Sequence, residues 1–166
     1  RQRQMCIRDR TMGGDRSNID EPEATKMIRY AFDRGVNYVD TAYPYHGGNG
    51  EILVGKALRD GYREKVRLAT KMPIGRVESE SDLDRIFSEQ LRKLETDHVD
   101  CYLFHGLDEE RWIKAQSLNA LDWAEGLRED GKILHLGFSF HDEFEVFKKV
   151  IDGYDKWDFC QIQYNY

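Results

Sequence analysis

"HVDCYLFH", residues 98–105, decides the fold. Eight residues are short for a helix, and the aromatic and β-branched content suits a buried strand. On its upstream side Leu83, Ile86, Phe87, Leu91 and Leu94 recur at helical spacing behind Ser79 and Ser81. On its downstream side Ile113, Ala120, Leu121, Ala124 and Leu127 form another helical stripe, closed by Gly131. A strand held between two helices is the middle of a βαβ arrangement.

The same unit recurs outward in both directions. "VNYVDT" starts at Val36, "KVRLAT" at Lys65, "KILHLGFS" at Lys132 and "FCQIQYNY" at Phe159, so the five runs begin 29, 33, 34 and 27 residues apart. Helical patterns fill the intervals. Asp20-Glu21-Pro22-Glu23 combines a capping aspartate, an early proline and acids suited to the positive end of a helix dipole. Ala24, Met27, Ile28 and Ala31 then mark one face, and Gly35 is a natural stop. A shorter helix is predicted from Glu51 to Arg59, and a last one carries Phe144, Phe147, Val150 and Ile151 before Gly153. This alternation predicts an α/β fold with a parallel sheet. No G-x-G-x-x-G and no G-x-x-x-x-G-K-[ST] follows any run, which favours a (β/α)8 barrel over an open dinucleotide-binding sheet. About five βα units are present, so the expectation is a partial TIM barrel whose C-terminal strands are missing.

Composition narrows the partners. The 166 residues are 40% hydrophobic and 34% charged, with a net charge of −6, which argues against nucleic acid and anionic membrane as partners. No apolar run reaches membrane-spanning length and no signal peptide is visible. Cys6, Cys101 and Cys160 are too few and too scattered for a disulfide framework, so a cytoplasmic location is expected. The segment "RQRQMCIRDR", residues 1–10, is arginine-rich and patternless. It reads as a foreign, artefactual segment, leaving 11–166 as the fold-bearing part.

Polar residues fall at the ends of the runs: Asp40, Lys71, His105, Ser139 and, inside the fifth, Gln161. In a parallel barrel those ends share one face, where active sites lie. Singly, each has an ordinary structural account: a turn cap for Asp40, a solvated lysine, a satisfied histidine, a helix N-cap for Ser139. Their joint placement points to a site. His98, His105, His135, His141 and Cys101 match no zinc-binding spacing. Cys101 and Cys160 read as buried strand thiols. "GGNG", residues 47–50, reads as turn and cap, with an anion nest as the alternative.

Together, "GVNYVDTAYPYHGGNGE", the "TK" at 70–71, "YLFH", and "GFSFH" followed by "FCQIQYNY" resemble the aldo-keto reductase superfamily over residues 19–166, closest to its bacterial or archaeal members. The resemblance implies a catalytic tetrad of Asp40, Tyr45, Lys71 and His105, with Tyr45 rather than Tyr43 as the acid and Tyr43 packing near the pocket wall. It implies NAD(P)H-dependent reduction of small-molecule aldehydes or ketones to alcohols, with NADPH or NADH as cofactor. Ser139 and Gln161 match two of three nicotinamide-binding positions; the third, an asparagine in the family, is Phe140 here, with His141 as a substitute. An iron–sulfur cluster is implied only if a C-terminal extension with a cysteine cluster follows. A non-catalytic, nucleotide-binding regulatory subunit of the same fold is the alternative. Substrate and oligomeric state are not legible.

Overall fold

The computed structural model describes the backbone of residues 4–6 and the whole of residues 19–163. Twelve elements alternate: β1 (Gln4–Cys6), α1 (Glu21–Asp33), β2 (Tyr38–Asp40), α2 (Gly50–Ala57), β3 (Arg67–Met72), α3 (Glu80–Leu94), β4 (Val99–Leu107), α4 (Glu109–Ser117), α5 (Ala120–Glu129), β5 (Ile133–Phe140), α6 (Phe144–Asp152) and β6 (Phe159–Ile162). All strand pairs are parallel, and the order is β1-β2-β3-β4-β5-β6. Each strand lies beside its predecessor with no reversal of direction. A doubly wound sheet would reverse its order midway; this sheet progresses in one sense, as a (β/α)8 barrel does, and forms six strands of such a barrel.

The five expected runs are β2 to β6. The remaining strand comes from the decapeptide read as foreign, where Gln4–Cys6 pairs with Tyr38–Asp40. The rest of that decapeptide, and Tyr164 to Tyr166 of the last run, lie outside the described residues.

Helix starts follow the capping rules. The Asp20 side chain accepts from the Glu23 amide at 3.1 Å and Pro22 sits in the first turn of α1. Ser79 and Asp82 form a reciprocal capping box at α3. One stripe is corrected. Ile113 to Leu127 is not a single helix: the chain breaks after Ser117, and Asn119, at φ 50°, restarts it as α5. Ile113 is consequently exposed, as is Phe144 of α6.

Side chains alternate across each strand. Leu68 and Met72 of β3, Tyr102 and Phe104 of β4, and Phe138 and Phe140 of β5 face the helices and join the main core with Ile28, Leu53, Ile86 and Leu94. The other face carries a small apolar layer, Tyr38, Ala69, Cys101 and Leu103, against which Phe159 packs. Two residues further along the strands, the next layer on that inner face is polar.

Candidate active site

That polar layer is Asp40, Lys71, His105, Ser139 and Gln161, one residue from each of β2 to β6. The parallel register lifts β3 relative to β2 and β4 relative to β3, pairing Asp40 with Ala69 and Lys71 with Leu103, whereas Ser139 pairs directly with Gln161. All five line one cavity of about 630 Å³, together with Tyr45, Arg76, Arg111 and His141.

Lys71 is its most constrained member. Its Nζ donates to Asp40 Oδ1 at 2.6 Å and to the Thr41 carbonyl at 2.8 Å. Both partners of the ion pair are 1% exposed. A buried pair persists only when its remaining hydrogen-bonding capacity is met; the second Asp40 oxygen accepts from Gln161 Nε2 at 3.2 Å. Behind the strand, Gln90 Nε2 donates to the Lys71 carbonyl at 3.0 Å. The ammonium thus has one position.

Tyr45 reaches the same place from the loop after β2. Backbone φ is positive at His46, Gly47 and Gly48, which turns the chain sharply back on itself. Gly50 then packs against Tyr45: a β-carbon there would stand 3.1 Å from Tyr45 Cβ and 3.2 Å from Thr41 Oγ1. The Tyr45 ring lies 5.1 Å from Lys71 Nζ and meets the His105 ring edge-on, with centroids 5.7 Å apart at 80°. The "GGNG" run therefore sets the orientation of a tyrosine and begins α2.

His105 owes its direction to an irregularity. The β4–β5 register shifts between Phe104 and Leu107, a local bulge in which Gly106 takes φ 59°. The Gly106 amide donates to Ser139 Oγ at 2.7 Å. Ser139 is thus no helix cap. With its oxygen accepting from that amide, its hydroxyl proton can be donated into the cavity. Ser139 as donor and Gln161 as an amide fit a carboxamide, the group a nicotinamide presents. Phe140 turns away into the helix-facing core, whereas His141 lines the cavity.

Other expectations divide. Tyr43 packs behind the cavity wall, its ring 6.0 Å from the guanidinium carbon of the wall residue Arg76. Its hydroxyl donates to Glu89 at 2.9 Å, Lys93 Nζ stands 4.2 Å from its ring centroid, and burial followed by the Glu89 hydrogen bond pushes its pKa up. Cys101 is buried, and burial, then the neighbouring Asp100 charge, pushes its thiol up to about 11, which makes it unreactive. Cys160, expected to be buried, is exposed, because among the described residues β6 is the last strand of the sheet. Among the described residues no three His, Cys, Asp or Glu side chains cluster to hold a metal, and no helix is long and apolar enough to cross a membrane. The sequence reading overlooked Arg76 and Arg111, which sit beyond β3 and in the first turn of α4. Their signal was two arginines placed just after strands whose ends already carried site residues.

Comparison with known proteins agrees with this fold. The family described as "Aldo/keto reductase family" matches residues 10–166. The Glycine max protein named "Probable aldo-keto reductase 1" is 32% identical over 129 residues, covering 73% of this chain and 36% of its own length. The holo form of an aldo-keto reductase from Bacillus halodurans superposes with a TM-score of 0.77 at 26% identity, over 98% of this chain and 53% of that one. An aldo-keto reductase from Klebsiella pneumoniae, solved in complex with NADPH, superposes with a TM-score of 0.75 at 25% identity, over 92% of this chain and 52% of that one. The chain therefore spans about a third of the curated relative and about half of the solved structures.

Proposed function

This chain belongs to the aldo/keto reductase family, and from that premise we propose that it carries the proton-handling half of a nicotinamide-dependent reductase of aldehydes and ketones. The observation that carries the reading is the Lys71–Asp40 pair, at 2.6 Å and fully buried, with its ammonium 5.1 Å from the Tyr45 ring and His105 against that ring's edge.

Reduction of a carbonyl leaves negative charge on oxygen, which must then be protonated. Tyr45 is the proton donor. A phenol holds its proton too tightly for this task unless a positive charge stabilises the phenolate left behind. Lys71 supplies that charge, and Asp40 with the Thr41 carbonyl keeps it in place. His105 gives a second hydrogen bond to the substrate oxygen and orients it, so that two donors meet the developing oxyanion. Ser139 and Gln161 would hold the carboxamide, and a bound nicotinamide supplies the hydride. The NADPH of the Klebsiella pneumoniae relative supports NADPH as the cofactor. We further propose that the 166 residues alone bring about no turnover, since the described residues form six of the eight strands that close such a barrel.

The test is Tyr45→Phe in the protein at its natural length. Reduction of aldehydes should fall by about 10²–10⁴-fold, the usual value of general acid catalysis, while NADPH affinity by fluorescence titration stays within about twofold. Turnover comparable to the parent would mean that the proton comes from another group.

A further inference from the structure

We propose that the cavity holds an anion-recognising subsite, formed by Arg76 and Arg111, that selects carbonyl substrates bearing a carboxylate or phosphate. The inference rests on the reductase reading for the carbonyl but not for the anion.

The chain is acidic overall, with a net charge of −6, yet the cavity is not. The carboxylate in its wall, Asp40, is already engaged by Lys71 and Gln161. Arg76 and Arg111 therefore leave the wall with a surplus of positive charge. Arg111 is fixed in place. Its Nη1 donates to the Gly106 carbonyl at 2.7 Å and stands 3.0 Å from Asp108 Oδ2. That anchors the guanidinium one residue beyond His105, while its Nε and Nη2 make no hydrogen bond among the described residues. Asp108 offsets part of the charge but occupies one edge only.

The turn at Ile74–Arg76 gathers the cations. A β-carbon on Gly75 would meet Arg111 Nε at 3.3 Å, so the arginine passes close to a residue with no side chain. Lys114 Nζ donates to the Gly75 carbonyl at 3.3 Å. Arg76 makes no ion pair among the described residues; its guanidinium carbon lies 6.0 Å from the Tyr43 ring. Three cations thus converge on one turn at the rim of a cleft, where a field of one sign is focused onto an entering ligand. A planar guanidinium with a free donor edge matches carboxylate or phosphate oxygens in pairs.

The same chemistry could be met by a phosphate of the cofactor, so the experiment separates the two sources. The ligands are 4-formylbenzoate and its neutral methyl ester, titrated calorimetrically into the protein at its natural length, with and without saturating NADPH, and also assayed for reduction. The carboxylate should bind at least about tenfold more tightly than the ester, the scale of one charge-assisted hydrogen bond, and should do so with NADPH present. Arg76→Gln and Arg111→Gln should each bring that ratio towards one. Arg111→Lys, which keeps the charge, should retain part of it, and circular dichroism checks that each variant is folded. A ratio near one in the parent overturns the proposal. So does a ratio that neither glutamine variant changes, which would place the anion on His105 and Tyr45. Displacement of the carboxylate by NADPH also overturns it, reassigning the arginines to the cofactor. Should the binding ratio hold while neither aldehyde is reduced, the reductase reading fails and the subsite stands.

Discussion

Glu51, in the first turn of α2, is fully buried. Its Oε1 accepts from Thr70 Oγ1 at 2.6 Å and from Gln90 Nε2 at 2.8 Å, and Tyr102 donates to Gln90 Oε1 at 2.6 Å. Oε2 accepts no hydrogen bond among the described residues, with Lys93 Nζ 3.8 Å away and Glu89 adding a like charge. Burial pushes this carboxyl above the ordinary carboxylate range, beyond what the Thr70 and Gln90 hydrogen bonds pull it down. The folded chain therefore holds the Glu51 proton more tightly than the unfolded chain does. Its contribution is most favourable at pH values below the ordinary carboxylate pKa and declines as pH rises from there through the raised folded value. Glu51→Gln keeps an acceptor for Thr70 and Gln90 and removes the ionisation. The variant should gain stability relative to the parent as pH rises from the ordinary carboxylate range through neutrality, because only the parent must then ionise a buried carboxyl. Melting curves across that range check it; parallel curves for the two proteins would show that Glu51 titrates alike folded and unfolded. Residues of this kind were the hardest to read. Asp40, Lys71 and Ser139 were legible because strand periodicity fixes which way they point. An acid in a first helical turn is normally solvated, and nothing in spacing alone shows that Thr70 and Gln90 close over it. Arg76 and Arg111 escaped for a related reason: a turn and a helix start impose no period on their side chains.

At the scale of elements, α2 and α3 approach so closely that one hydrogen decides their distance. A β-carbon on Gly55 would stand 2.5 Å from the Lys93 carbonyl oxygen and 2.9 Å from the Leu94 carbonyl carbon. These are backbone atoms near the end of α3 and cannot rotate away. Gly55→Ala should therefore destabilise the fold by about 1–3 kcal/mol, the usual cost of overpacking, despite alanine's better helix propensity. Urea denaturation measures the difference; an unchanged or raised midpoint would mean that the two helices part without penalty. The consequence reaches the site, because α2 carries Glu51 and α3 carries Gln90, and these two link Thr70 to the Lys71 carbonyl. Helix identity was legible from stripes and caps, and the Asp20 and Ser79 starts needed only local chemistry. The break between α4 and α5 was not. Leu118-Asn119 carries neither glycine nor proline, and Asn119 adopts its left-handed conformation while donating from Nδ2 to Glu80 at 2.7 Å. A tertiary contact with α3 marks that break, and a stripe read along one helix cannot register it.

For the whole molecule, the spacing of about thirty residues between runs was enough to predict the parallel sheet, because a crossover helix and its two turns need that length. The balance between open and closed sheets is a property of all the strands together. Among the described residues β1 pairs only with β2, and β6 only with β5. Two edges therefore present unpaired backbone groups, the hazard that barrel closure removes. The β6 edge is not blunted by charge: its residues are Phe159, Cys160, Gln161 and Ile162, and Ile162 is 53% exposed. Among the described residues, the hydrophobic side chain packed against the apolar inner layer of Tyr38, Ala69, Cys101 and Leu103 is Phe159 of the edge strand. The net charge of −6 opposes association at long range, but salt screens that repulsion within roughly 8–10 Å at physiological ionic strength, leaving edge pairing and apolar contact unopposed. The 166-residue chain on its own should therefore associate, its mass by light scattering rising with concentration and with added salt. Replacing Ile162 with lysine, which puts a charge on the open edge, should shift it towards monomer without lowering its helical content. A chain that stays monomeric at all concentrations and melts sharply and reversibly would show that six strands cover their own edges.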